Sequence, residues 1–311
     1  MYFVTVEELF NYLELENLTP DIDYKSREII ASDVNRPALQ LAGFFNYFDP
    51  RRLQIIGKVE STYLEEMSDE SARRGAIKKF MDYTEIPCII VCREEVEVDP
   101  YMIECARESQ IPMFKSELPT TTLLAEANRW LQEKIAPRVT LHGILLDIYG
   151  EGVLIMGESG IGKSEAALEL IRRGHRLVAD DAVEIRKLTK KLLVGRAPEI
   201  TKYFIEVRGI GIVDVKQLFG AGAIRNKKKI DLIVKLETDN GGINSDRLGL
   251  KDETMEILDT ELPLNRIFVR PGRNVAILCE AAAVNHREKK MGYNAAEALT
   301  QRVMDNIAKE K

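Results

Sequence analysis

Residues 153–173 constrain this chain more than any other stretch: VLIMG reads as a short apolar strand, ESGIGKS breaks it, and an apolar helical spacing follows as far as Gly174. Gly157, Gly162, Lys163 and Ser164 fill every fixed position of G-x-x-x-x-G-K-[ST], between a strand and a helix predicted over residues 163–173. Such glycines let the backbone curl so that several N–H groups face one hollow, and the positive end of the helix dipole reinforces them. A di- or triphosphate suits that hollow. Gly157, Glu158, Ser159, Gly160, Ile161, Gly162, Lys163 and Ser164 are therefore the candidate phosphate cradle. Lys163 would reach the outer phosphates and the Ser164 hydroxyl would ligate Mg²⁺.

The surroundings of this unit predict a two-domain α/β protein. A chain of 311 residues with 45% hydrophobic content is long enough for two ordinary domains. LQIIGK, PCIIVC and IPMFK, with a helix around residues 101–109, describe a small N-terminal α/β domain over residues 1–135. TTTLLAEANRWLQEKIAPRV reads as a helix opened by a threonine cap and closed near Pro137, so the P-loop domain, built on a mixed sheet, is expected over residues 136–311. Within it, RVTLHGILLDI reads as one strand, YGEG as a tight turn and GVLIM as the returning strand. Pairing Tyr149 with Gly152 sets His142 opposite Ser159, beside the glycine-rich turn.

Charge and composition exclude several classes. With 44 basic against 50 acidic residues, the net charge of -6 argues against a nucleic-acid partner. No run approaches the roughly 20 apolar residues of a membrane span. The opening MYFVTVEELFNYLELENL carries acids where a secretion signal has a basic flank, so a cytoplasmic protein without membrane contact is expected. Cys88, Cys92, Cys105 and Cys279 lack the spacing or neighbouring histidine of a zinc site and read as core thiols.

Chemistry at the hollow must come from what faces it. LVADDAVEI delivers Asp180 and Asp181 just after the P-loop helix; neighbours on an extended segment point opposite ways, so one can hold Mg²⁺ while the other accepts a proton from an incoming hydroxyl. A solvated acidic turn is the plain alternative. The more conventional carboxylate strand, DLIVKLE, ends in Glu237, and the preceding Asn226, Lys227, Lys228 and Lys229 read as a solvated loop. In EVRGIGIVDV, Glu206 could complete an oxygen shell around Mg²⁺, although a tight turn would carry the same letters. VRPGRN presents Arg270 and Arg273 around Pro271 and Gly272, as phosphate ligands or as a surface turn, and Arg247 in SDRLGL could neutralise a transferred phosphoryl group. His142 could tune proton transfer or bind phosphate, whereas His175 and His286 read as structural or surface residues. The last helix, capped by Asn294, carries an apolar stripe through Leu299, Val303 and Ile307 that needs a neighbour, its own domain or a partner.

LHGILLDIYGEGVLIMGESGIGKSE, LVADDAVEI, EVRGIGIVDV, SDRLGL and VRPGRN, in that order, resemble the HPr kinase/phosphorylase family of bacterial carbon catabolite control. The resemblance implies serine phosphorylation of the carrier protein HPr from ATP or pyrophosphate, and the reverse attack of inorganic phosphate on phosphoserine-HPr to give pyrophosphate. It assigns Lys163 to the phosphates, Ser164 and Glu206 to Mg²⁺, Asp181 to proton transfer in both directions, and His142 and Arg247 to the catalytic site. Arg270, Pro271, Gly272, Arg273 and Asn274 are tied to the reverse reaction. A homohexamer, activation by fructose-1,6-bisphosphate and a C-terminal helix near the protein substrate are implied too. The rivals are a nucleotide-binding sensor that changes assembly without passing phosphate to a protein, and a small-molecule kinase or carboxykinase-like enzyme.

Overall fold

The computed structural model describes residues 2–92, 97–238, 253–270 and 272–309. The chain divides into two compact units, Met1–Ala136 and Pro137–Lys311.

In the first unit a five-stranded sheet runs Glu16–Asn17, Met113–Ser116, Ile89–Cys92, Leu53–Ile56, Val34–Asn35, parallel throughout except at its first pair. Leu53–Ile56 and Ile89–Cys92 are buried at every position. Unbroken apolar runs of this kind suit strands covered on both faces. One face packs Leu123, Ala127 and Leu131 of the helix Thr120–Ile135; the other packs Ile77 and Phe80 of Glu70–Met81. The expected threonine cap is absent, because Thr120 is already helical and the cap position falls on Pro119, which makes no side-chain cap. All four cysteines are free and buried, and burial pushes the thiols of Cys88 and Cys279 up to about 12.

The second unit is a layered structure. Its six-stranded mixed sheet runs Arg176–Ala179, Ile144–Ile148, Glu151–Gly157, Leu232–Thr238, Glu261–Val269, Glu253–Glu256, with the central pairings parallel and the outer ones antiparallel. Side chains alternate between faces. Ile144, Leu146, Val153, Ile155 and Val234 point to the helices Lys163–Arg172 and Val275–Lys290, where they meet Ala167, Leu170 and Ala283. Leu145, Leu154 and Ile233 point the other way, against Val183, Ile185 and Leu193 of a second sheet. That four-stranded sheet runs Lys227–Lys229, Leu192–Arg196, Ala182–Thr189, Arg138–His142. Each fully buried Leu or Ile in these layers contributes about 1.5–3 kcal/mol relative to exposure. At Gly195 the sheets approach so closely that an added Cβ would lie 2.5 Å from Leu145 Cδ2.

Two differences from the sequence reading matter for function. RVTLHGILLDI is two strands in two sheets: Arg138–His142 pairs with Ala182–Thr189, while Ile144–Ile148 pairs with Glu151–Gly157. The hairpin register is also shifted, with Ile148 opposite Glu151, so the loop is Tyr149–Gly150, both at positive φ, and Asp147 Oδ1 accepts the Gly150 N–H at 3.0 Å. Lys227–Lys229, read as a loop, is an edge strand, because Lys228 turns inward to Asp147 at 3.4 Å and to the Gly150 carbonyl at 2.6 Å.

Candidate functional site

The chain crosses between the two sheets of the second unit twice, and the crossings meet. It leaves the four-stranded sheet at His142 and joins the six-stranded sheet at Ile144; it returns through Asp180 and Asp181 between Ala179 and Ala182. Gly143 N–H donates to the Asp181 carbonyl at 3.1 Å, and Ala182 stands opposite His142 in the ladder. Only glycine fits at 143, since an added Cβ would lie 2.8 Å from the Ile155 carbonyl oxygen. Asp181 holds a left-handed conformation, φ 63°, which aspartate tolerates better than most residues. The crossing brings His142 Nδ1 to 2.9 Å from Asp181 Oδ1, with both side chains more than half exposed.

These residues share one cleft with the glycine-rich loop. Its walls include Ser159, Gly160, Gly162, Lys163, Ser164, Asp180, Asp181, His142 and Glu206. Gly160 and Gly162 adopt positive φ, 86° and 99°, which is how the loop curls before the helix Lys163–Arg172 begins. Lys163, 8% exposed, donates to the carbonyls of Gly157 and Glu158 at 2.9 Å each.

Asp180 and Asp181 diverge, as neighbours on an extended chain must. Asp180 is buried, and its Oδ2 accepts the backbone N–H of Glu206 at 2.9 Å. Burial raises its pKa above the ordinary carboxylate value, against the lowering effect of amide bonds from Glu206 and Asp181. Glu206 lies on the strand Phe204–Val207, which forms a hairpin with Gly211–Asp214, so the tight turn and the cleft carboxylate are both present in EVRGIGIVDV. Glu237, the conventional alternative, is occupied: Lys235 holds its carboxyl below the usual range, with Arg266 adding to the effect.

The remaining candidates lie elsewhere. Arg247 and Pro271 fall outside the described residues. Arg270, Gly272, Arg273 and Asn274 do not line the cleft; they form the turn that starts the helix Val275–Lys290. Asn274 caps that helix, its Oδ1 accepting the Ile277 N–H at 3.1 Å, and its Nδ2 reaches Glu169 of the P-loop helix at 3.4 Å. Arg273 donates to the Phe268 carbonyl at 3.0 Å. His175 is buried against Glu280 at 2.8 Å, and burial lowers the pKa of His286 beside Glu151; neither lines the cleft. Arg208 and Glu165 do line it and had no assigned role in the sequence.

Mg²⁺ fits the oxygen donors present. Among the described residues no group of three or more His, Cys, Asp or Glu side chains could hold a metal alone. Mg²⁺ does not need such a cage, because it keeps waters and binds through one or two carboxylates together with substrate phosphates. Ser164, Asp180 and Glu206 all line the cleft and bring hydroxyl and carboxylate oxygens of that type.

Comparison with known proteins matches this sequence to one family. The profile described as "HPr Serine kinase N terminus" matches residues 4–131, and "HPr Serine kinase C-terminal domain" matches residues 133–303. A protein of Lachnoclostridium phytofermentans named HPr kinase/phosphorylase is 53% identical over 310 residues, covering 100% of this chain and 99% of its own. One of the same name from Caldanaerobacter subterraneus is 50% identical, covering 98% of each chain. The solved structure of the Hpr(Ser) kinase/phosphatase from Coxiella burnetii is 37% identical with a TM-score of 0.47, covering 52% of this chain and 98% of that one. With a family profile over most of each unit and a 53% identical relative covering 100% of the chain, this chain belongs to the HPr serine kinase family.

Proposed function

We propose that this chain transfers a phosphoryl group from ATP or pyrophosphate to a serine of HPr, and catalyses the phosphorolysis of phosphoserine-HPr by inorganic phosphate. The observation that carries this reading is the 2.9 Å contact of His142 with Asp181 in the cleft that also holds Lys163. A sensor needs a phosphate hollow; it has no use for an exposed carboxylate and imidazole directed at the same space.

In the forward direction Asp181 takes the proton of the serine hydroxyl as the serine oxygen bonds to the terminal phosphorus, and the phosphorus–oxygen bond to ADP or orthophosphate breaks. In reverse, a phosphate oxygen attacks the phosphoserine phosphorus, and the protonated Asp181 returns its proton to the departing serine oxygen, leaving pyrophosphate. One group serves both directions, as microscopic reversibility requires. His142 donates to the Asp181 carboxylate and orients it. Lys163 and the loop amides bind the phosphates, and Ser164 and Glu206 would hold Mg²⁺, with Asp180 fixing the Glu206 backbone. The ion supplies positive charge to the phosphate oxygens when bound.

The resemblance to HPr kinase/phosphorylase sequences further supports Arg247 and residues 270–274 as parts of the working site, a cytoplasmic homohexamer, and fructose-1,6-bisphosphate as activator. Among the described residues no helix is long and apolar enough to cross a membrane. The test is a labelled-phosphate cycle: γ-labelled ATP, Mg²⁺ and HPr, followed by excess inorganic phosphate. Label passing to HPr and then appearing as pyrophosphate supports the proposal. ATP binding without transfer selects the sensor, and transfer to a small acceptor alone selects the small-molecule kinase.

A further inference from the structure

The hairpin that supplies Glu206 also carries Arg208 at its tip, where the Ile210 N–H closes the turn on the Val207 carbonyl at 3.0 Å. From there the guanidinium lies over the glycine-rich loop. Nη2 donates to Ser159 Oγ at 2.9 Å, and Nη1 lies 2.5 Å from where a Cβ on Gly160 would stand. Arg208 has no carboxylate partner among the described residues, and its hydrogen bond goes to a neutral hydroxyl. Lys163 is in the same condition, its ammonium donating to two carbonyls of the loop. Two cations at one hollow are thus held by neutral oxygens of the loop itself, and a phosphate oxygen is a much stronger acceptor than either kind.

We propose that Arg208 is a second polyphosphate ligand beside Lys163, which exchanges Ser159 Oγ for oxygens of the phosphoryl donor and of pyrophosphate. This rests on reading the loop as a phosphate hollow. The planar fork suits two oxygens of one phosphate or one oxygen on each of two. Placement on the Glu206 hairpin also gives the cation and the metal-binding carboxylate a common support, so a phosphate that draws in one positions the other.

The test is titration calorimetry of the full chain with Mg²⁺ and pyrophosphate, with thermal unfolding of each variant alongside. Arg208→Ala is expected to weaken pyrophosphate binding by about 10-fold or more, the usual weight of hydrogen bonds to a charged group. Its salt dependence should be shallower, because one screened charge has gone. Arg208→Lys should fall between, keeping the charge without the fork, and the melting temperature should not move for so exposed a side chain. Arg208→Ala combined with Ser159→Ala, which removes the resting partner, separates a ligand from a brace: the double variant is expected to bind pyrophosphate about 10-fold or more weakly than Ser159→Ala alone. Arg208→Ala within twofold of the unmodified chain overturns the inference. So does a double variant that binds within twofold of Ser159→Ala alone, which would make the pair a brace of the loop. If the unmodified chain fails to bind pyrophosphate at all, the phosphate hollow itself is disproved.

Discussion

The carboxylate of Asp180 accepts the backbone N–H of Glu206 at 2.9 Å, tying the crossing between the two sheets to the hairpin that reaches the glycine-rich loop through Arg208. This bond makes Asp180 a positioning residue whether or not it also touches a metal. Asp180→Asn keeps an oxygen acceptor for the amide, whereas Asp180→Ala leaves a part-buried N–H without one. The alanine variant is expected to lose about 1–3 kcal/mol of stability by urea titration and the asparagine variant less. Equal losses would show that the bond does not matter.

The same group predicts a pH dependence. Burial raises the folded-state pKa of Asp180, so the folded protein holds that proton more firmly than the unfolded chain does. Stability therefore falls as pH rises from the ordinary carboxylate value through the raised one. Asp180→Asn removes this contribution, so the variant should gain on the native sequence as pH increases above about pH 4. Urea midpoints of both proteins at several values between about pH 4 and pH 7 check the sign. A difference that is flat or shrinks refutes it.

Asp181→Asn isolates the proton-transfer step, because asparagine also tolerates the left-handed backbone at this position. Nucleotide affinity should be retained while turnover in both directions falls by about 10² to 10⁴-fold. Weakened binding with intact turnover would contradict the role given to this carboxylate.

Lys163→Ala should abolish phosphoryl transfer to HPr and phosphorolysis together, since both directions need the same cradle. Turnover near the native rate in either assay removes the loop from the mechanism.

Gly143→Ala places a methyl group against the Ile155 carbonyl, 2.8 Å from its oxygen. Overpacking of this kind costs about 1–3 kcal/mol. The strain falls where His142 and Asp181 meet, so turnover should drop while pyrophosphate affinity changes little. A variant with native turnover would show that the crossing is more compliant than its contacts indicate.

The glycine-rich loop is legible in the sequence because a strand, a glycine turn and a helix are local and each carries its own signal. His142 was harder. Treating RVTLHGILLDI as one strand placed the imidazole across a hairpin from Ser159, but that ladder ends at Ile144 opposite Ile155. The imidazole instead lines the cleft because Arg138–His142 pairs with Ala182–Thr189 in another sheet, and pairing between distant segments leaves no periodic mark on either. The hairpin register is hidden for a related reason, since the positive φ of Tyr149 is rare for an aromatic residue and the glycine after it suits a loop shifted by one position. Neither the burial of Asp180 nor the reach of Arg208 could be read from spacing, because both depend on where the Glu206 hairpin folds back. The apolar stripe of the last helix remains exposed in the single chain at Leu299, Val303 and Ile307.

The narrow contact at Gly195 and Leu145 turns the spacing of the two β-layers into a tuning element for chemistry performed elsewhere. Imidazole and acid are borne by segments that each belong partly to both layers, so a wedge at this seam that moves the layers, rather than only the tip of Leu145, would slide His142 past Asp181. Slow turnover in a well-folded variant, caused by a single methyl inserted remote from any phosphate, would be its signature.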